Sequence, residues 1–340
     1  MVFPLFRSGR AAVMVGGCLC RCLLMLLGLA LLTGCDKPRL PLVVGANPWP
    51  GYEALFLARD QGLVGESVVR VLDFPATGEV MRAFRNGTLD AAALTLDEAL
   101  TLVGNGEAVK VVLVFDVSAG GDALVAQPGL ESLGALRGRR IGLEPNTTAS
   151  LLLYRALTSA GLGAGDVTVV PLPLDKQQRA LQRGEVDALA TCEPVRSRLA
   201  AGGARVLYDS TAMPNEIVDV LVVRQSALDE RPADVAALVH GLGRAQQRLI
   251  GGDTTVIAQG AHRSNLTPEQ FRQALAGMIL PDLEQNRKLL APRGELDVQA
   301  GRLVAFMEQQ GWLRQAPAVS LLDDRLVRGA AILPQGGGRS

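Results

Sequence analysis

Short apolar runs alternate with longer amphipathic stretches along most of the chain. Leu42-Val43-Val44-Gly45 reads as a buried strand, and a helical pattern follows over 52–61. Further strand-like runs fall at 90–95, 109–115, 123–126, 187–192 and 217–223. Continuous apolar strands separated by helices predict parallel sheets covered on both faces. From residue 231 onward helical periodicity dominates, over 232–251, 254–261, 267–280, 282–290 and 296–310. Thr267-Pro268-Glu269-Gln270 spells a capping box with proline at the first helical position. These late helices are expected to cover the first of two lobes.

The pattern repeats once, at an offset of 97. Val44, Gly45 and Pro48 align with Ile141, Gly142 and Pro145, and Arg85-Asn86-Gly87-Thr88-Leu89-Asp90-Ala91 with Gln182-Arg183-Gly184-Glu185-Val186-Asp187-Ala188. In each copy a helix ends at a glycine, which tolerates the left-handed backbone past a helix end, and a short strand follows. The expected fold is therefore α/β, with two similar doubly wound lobes and a cleft between them. The apolar strands at 109–126 and 217–223 are where the chain is expected to cross from one lobe to the other.

The first 35 residues have a different character. Arg7, Arg10 and Arg21 precede an uncharged apolar run over 22–32 that ends in Leu32-Thr33-Gly34-Cys35. A basic start, a short apolar stretch and small residues describe an export signal, too short for a membrane-spanning helix. Leu-Thr-Gly-Cys also resembles the lipobox of bacterial lipoproteins, which implies a signal peptide over 1–34 and a lipid on Cys35. Asp36 resembles the residue that retains such proteins at the inner membrane. Removal of 1–34 leaves 31 basic against 34 acidic residues, and leaves Cys192 as the sole unlipidated cysteine. No intrachain disulfide is then possible, and a buried structural thiol is expected at Cys192.

Composition narrows the function classes. Lys and Arg total 34, as do Asp and Glu, so no basic surface for nucleic acid is implied. Two histidines, His240 and His262, leave little for metal centres or triads, and aromatic residues make up only 4%. HExxH, CxxC, GxSxG and P-loop patterns are absent from the sequence. No enzyme chemistry and no cofactor or metal are expected.

In open parallel sheets ligands bind beyond the carboxyl ends of the strands, where helix N-termini point. Four segments qualify: 47–52 with Trp49 and Tyr52, 74–78 with Thr77, 95–98 with Thr95 and Asp97, and Asn146-Thr147-Thr148. By the repeat, Thr95-Leu96-Asp97 faces Cys192-Glu193-Pro194, so both are expected to border one cleft. The segment 115–122 adds Asp116, Ser118 and Asp122 beside the crossing. The ligand-binding set is thus Trp49, Tyr52, Thr77, Thr95, Asp97, Ser118, Asp122, Asn146, Thr147, Thr148 and Glu193. An inward carboxylate constrains the ligand: a like charge about 4 Å away opposes binding by about 4 kcal/mol at an effective dielectric constant near 20. A helix N-terminus returns only about 0.3–1 kcal/mol. Inward Asp116, Asp122 or Glu193 therefore works against a simple anion.

The lipobox followed by "VVGANPWPGYEALFLARDQGL" (43–63), "RNGTLDAAALTLDEAL" (85–100), "LRGRRIGLEPNTTASLLLYRAL" (136–157), "RGEVDALATCEP" (183–194) and "FRQALAGMILPDLEQNRKLL" (271–290) resembles the ABC-transporter solute-binding proteins of the nitrate/sulfonate/taurine type. The resemblance covers nearly all of the mature chain. It implies the type II periplasmic binding-protein fold, with a discontinuous first lobe (40–123 plus 220–330), a second lobe (124–219) and a flexible tail (331–340). It also implies a monomeric, lipid-anchored protein at the periplasmic face of the inner membrane. Such a protein hands a small polar solute to an ABC permease and its ATPase. The solute is a sulfonate- or nitrate-like anion, or a nitrogenous pyrimidine- or guanidino-type compound. A ligand-sensing subunit of a signalling system is the alternative. A thiamine-pyrimidine-synthase-like enzyme is a further one, although the Cys-rich motif of those enzymes is missing.

Overall fold

The computed structural model describes residues 40–313, 315 and 320–329. The expected export signal with Cys35 and the expected tail at 331–340 lie outside the described residues. Two sheets organise the chain. Strands β1 (Leu42–Ala46), β2 (Val69–Asp73) and β3 (Ala91–Thr95) are parallel, and β10 (Val218–Arg224) enters antiparallel between β3 and β4 (Val109–Ser118). A short β11 (Met278–Ile279) completes the order β11-β4-β10-β3-β1-β2. The second sheet runs β7-β6-β8-β5-β9. Here β6 (Arg140–Leu143), β7 (Thr168–Pro171) and β8 (Ala188–Cys192) are parallel, and β5 (Asp122–Ala126) enters antiparallel between β8 and β9 (Arg205–Asp209).

The 97-residue offset is visible in the elements themselves. Helix α2 (Thr77–Arg85) and helix α5 (Leu174–Gln182) stand 97 positions apart at both ends, as do β3 and β8. Gly87 and Gly184, after the two helices, have φ of 74° and 69°, the left-handed turn that a glycine accommodates without strain. Gly45 and Gly142 coincide for another reason, space. A Cβ at Gly45 would lie 2.5 Å from a Leu89 methyl, and one at Gly142 2.8 Å from a Leu189 methyl. Each sheet also receives one antiparallel strand from the opposite crossing. The chain leaves the first sheet after β4, enters the second as β5, and returns after β9 as β10. All five residues of β3 and of β5 are buried, as expected for strands covered on both faces.

The later helices pack mainly around the first sheet: α1 (Glu53–Asp60) lies against α8 (Pro232–Ile250), with α9 (Thr254–Ser264) and α10 (Pro268–Ala276) beyond. The Thr267 capping box forms as read, with Thr267 Oγ1 accepting from Gln270 N. The helical pattern over 267–280 is interrupted. α10 ends at Ala276, and Met278 and Ile279 pair with Ser118 and Val117. The reason is local: the Gly277 carbonyl accepts the Ala119 and Gly121 amides at 2.8 and 3.1 Å, so the crossing at 119–121 captures the backbone there. A single periodicity over 267–280 hides this tertiary demand. The segment 74–78 runs directly into α2, which begins at Thr77.

Candidate functional site

The carboxyl ends of β1, β3 and β8 meet the starts of β5 and β10 around a small cavity of about 30 Å³. The first sheet and its turns contribute Asn47, Trp49, Tyr52, Thr77, Thr95, Glu98 and Asp219. The second contributes Asp122, Cys192 and Thr148, the last at the start of α4 (Thr148–Ser159). The two inserted strands each deliver one carboxylate: Asp122 begins β5 opposite Cys192, and Asp219 is second in β10 opposite Thr95 and Asp116. No Lys, Arg or His lines the cavity.

Aromatic donors hold two of these carboxylates. Trp49 Nε1 donates to Asp116 Oδ2 at 2.9 Å, and the Tyr52 hydroxyl donates to Asp219 Oδ1. Asp116 Oδ1 and Asp219 Oδ2 have no hydrogen-bond partner, although the residues are 0% and 3% exposed. Gly51 makes room for this arrangement, because a Cβ there would lie 1.8 Å from Asp116 Oδ2. Thr95 Oγ1 donates to Asp97 Oδ1 at 2.7 Å, and Thr95 N donates to Glu98 Oε2 at 2.9 Å. A Thr-x-x-Glu box thus caps helix α3 (Leu96–Gly104).

Two carboxylates bridge the halves. Glu144, after β6, accepts the Gly78 amide of α2 at 2.7 Å. Glu98, in α3, accepts the Thr148 amide of α4 at 3.3 Å. Each therefore meets free amides at a helix N-terminus belonging to the other half, where a negative charge is favoured. A Cβ on Gly78 would lie 2.7 Å from Glu144 Oε1, so only glycine leaves this approach open.

Burial dominates the electrostatics. It raises Glu98 to about 8, with Asp97 adding repulsion, and raises Asp116 and Asp122 each to about 7. Asp219 is pushed well above the usual carboxylate range by burial and by Asp116 and Asp122, and burial also raises Asp97 and Glu144. Tyr52 and the Cys192 thiol are held well above their ordinary values, mainly by burial. Cys192 is half-buried and lines the cavity, and the raised thiol favours its protonated form.

Six residues of the sequence-derived set line the cavity: Trp49, Tyr52, Thr77, Thr95, Asp122 and Thr148. Asp97 lies behind them, bonded to Thr95. Ser118 Oγ meets Ser210 Oγ at 2.8 Å and accepts the Asp122 amide at 3.2 Å, so it braces the crossing without lining the cavity. Thr147 caps α4, and Asn146 is exposed with a φ of 60°. Glu193 also does not line the cavity: Arg196 stands 3.1 Å from it, and Ser197 donates through both its amide and its hydroxyl. Asn47 and Glu98 fall in segments named from the sequence but outside the residue set drawn from them, and Glu144 and Asp219 fall outside both. Two carried a signal: Glu98 closes a Thr-x-x-Glu box, and Asp219 is a lone carboxylate inside the apolar run 217–223.

Similarity to known proteins agrees with this architecture. The putative binding protein BAB2_1146 of Brucella abortus is 26% identical over 178 residues, 48% of this chain and 55% of that protein. The chain thus spans about half the length of that relative. The taurine-binding periplasmic protein of Escherichia coli K12 is 24% identical over 257 residues, 73% of this chain and 78% of that protein. The solved alkanesulfonate-binding protein from Xanthomonas axonopodis pv. citri, bound to MOPS, superposes with a TM-score of 0.71 at 19% identity. That match covers 82% of this chain and 96% of that one. It shows that the fold is the one used by periplasmic binding proteins. Residues 36–262 match the model of the NMT1-like family, and the chain belongs to that family.

Proposed function

We propose that the protein captures a small polar solute between two lobes and delivers it to an ABC permease driven by its ATPase. The lobes are residues 40–123 plus 220–330 and residues 124–219; β5 begins at Asp122 and β10 at Val218, within two residues of those limits. One observation carries the reading: residues from both sheets line a single cavity, and Glu98 and Glu144 join the two halves across it. A ligand that touches both halves only when they meet favours the closed form by its differential affinity, and reversible closure follows without any chemical step. The taurine-binding relative supports the same assignment.

The protein acts as a monomer on the periplasmic face of the inner membrane, held there by a lipid on Cys35. Among the described residues no helix is long and apolar enough to cross a membrane. Small-angle scattering with and without bound solute tests closure, and a radius of gyration that never changes with any bound compound would refute it. Fractionation of a Cys35→Ser variant tests the anchor, which predicts its release into the periplasm. Stimulation of the ATPase of a candidate ABC permease by loaded protein tests the partner.

A further inference from the structure

We infer that the solute is a small organic cation, held through its N–H groups by Asp122, Asp219 and Glu98 beside the rings of Trp49 and Tyr52. The inference names the chemistry of the captured solute and so rests on the capture reading above.

Four observations converge on it. First, the places where an oxyanion would dock are already filled. The α2 amide of Gly78 is given to Glu144 and the α4 amide of Thr148 to Glu98, each carboxylate coming from the opposite half. Second, three carboxylates line the cavity and no cationic side chain does. Third, the unsatisfied atoms are acceptors. Asp219 is 3% exposed and lines the cavity, yet its Oδ2 has no donor, and Asp116 Oδ1 directly across the ladder lacks one too. Without a solute, a proton shared between Asp116 and Asp219 meets these atoms, and a donor-bearing solute can take its place. Fourth, among the described residues no three Asp, Glu, His or Cys stand close enough together to hold a metal ion. Carboxylates spread around a cavity suit a head with several N–H directions, such as an ammonium, amidinium or guanidinium group, better than a point charge. Trp49 and Tyr52 add aromatic surface, which attracts organic cations. The cavity of about 30 Å³ limits the part held there to a compact head.

Before a cation arrives, burial favours the protonated form of each carboxyl in the cluster. The groups concerned are Asp97 and Glu98 on α3, Asp116 on β4, Asp122 on β5 and Asp219 on β10, with the Tyr52 hydroxyl and Cys192 thiol neutral beside them. Glu193, paired with Arg196, and Glu144 at the α2 end complete the ionisable surroundings. With Asp116 and Asp122 titrating near 7 and Glu98 near 8, a bound cation displaces protons. Binding therefore tightens as the pH rises from 6 to 8 and releases protons, whereas an anion would behave oppositely.

Titration calorimetry of the mature protein tests this with guanidinium, acetamidinium and methylammonium chlorides against sodium nitrate, sodium methanesulfonate and taurine at matched ionic strength. Measurements in two buffers of different ionisation enthalpy count the protons. We expect at least one cation to bind with proton release and to bind at least threefold tighter at pH 8 than at pH 6. Asp122→Asn and Asp219→Asn should each weaken it at least tenfold while leaving the melting temperature of the unliganded protein unchanged or higher. Binding of nitrate, methanesulfonate or taurine in place of the cations overturns the inference and leaves the capture reading standing. Cation binding that ignores both substitutions overturns it too. Silence from every compound, with an unchanged scattering curve, ends both.

Discussion

Two groups of buried carboxylates in this molecule have opposite surroundings. On α1, Glu53 has only 3% of its side chain exposed, and Arg263 reaches it at 3.1 Å while also holding Asp60 at 2.8 Å. Around the cavity, Asp116, Asp122 and Asp219 are equally buried, and no cation of the described residues stands within salt-bridge distance of them. The fold compensates the first group with its own side chain and leaves the second group to protons or a ligand. A buried charge without a partner is expensive, so the contrast separates a carboxylate compensated within the fold from carboxylates that the proposed cation would compensate.

The largest expected effect comes from removing the compensation where it exists. Arg263→Ala leaves Glu53 buried beside Asp60 and should destabilise the protein by about 3 kcal/mol near pH 8, the range seen when one partner of a buried pair is lost. Glu53 already titrates at about 7 because burial outweighs the help from Arg263. Without the arginine it takes up a proton more readily, so the loss should shrink toward pH 6. Urea denaturation at the two pH values checks this; an equal loss at both would contradict the account. Gly51→Ala attacks the other group directly. Its Cβ would stand 1.8 Å from Asp116 Oδ2 and 2.7 Å from Trp49 Nε1. Overpacking of this kind costs about 2 kcal/mol, and the Trp49 fluorescence should change with it.

Asparagine in the cavity should act with the reverse sign. Asp116, Asp122 and Glu98 hold protons to about 7, 7 and 8 in the folded chain, against ordinary values of 3.8 and 4.5. The folded state thus binds more protons than the unfolded state between about pH 4 and pH 8, and unliganded stability falls as the pH rises through that window. Asp122→Asn removes one such group. It should be more stabilising at pH 8 than at pH 5, because over most of that interval the folded native protein holds one proton more than the unfolded chain, worth about 1.4 kcal/mol per pH unit. Melting curves at both pH values decide, and a destabilised variant at pH 8 would place Asp122 with Glu53 instead.

How much of this was legible beforehand differs between fold and site. The repeat located β1, β3, β6 and β8 to within a residue or two, because helix–glycine–strand units leave a strong local signature. β2, β7 and β9 left little trace: β7 is nearly all exposed or half-buried, and β9 sits at a sheet edge. Cavity residues on helix starts, such as Thr77 and Thr148, followed from the general rule for ligands at strand ends. Asp219 did not, because the sequence shows a carboxylate in an apolar strand but not the antiparallel insertion that sets it opposite Asp116. Glu193 lies outside the cavity lining for the complementary reason. Its partners Arg196 and Ser197 lie one helical turn ahead, so the carboxylate caps its own helix.

The smallest effect concerns the two bridging carboxylates, and it turns on which of them is charged. Glu98 titrates at about 8, so near pH 7 it is already mostly a neutral acid while it accepts the Thr148 amide. Glu98→Gln replaces one neutral acceptor by another and should leave the stability of the unliganded protein at pH 7 nearly unchanged. Glu144 is also raised by burial, but the Gly78 and Thr77 amides oppose that rise, and it faces the free N–H groups of α2. Glu144→Gln keeps an acceptor and removes the added strength of a charged one, a difference of about 1 kcal/mol. That loss falls on the contact between the halves rather than on either core. It should therefore appear as a larger radius of gyration and a severalfold weaker solute affinity, with the urea midpoint barely moved. If Glu98→Gln opened the molecule at pH 7 as much as Glu144→Gln does, both bridges would be ionised in the closed form, and the distinction between them would fail.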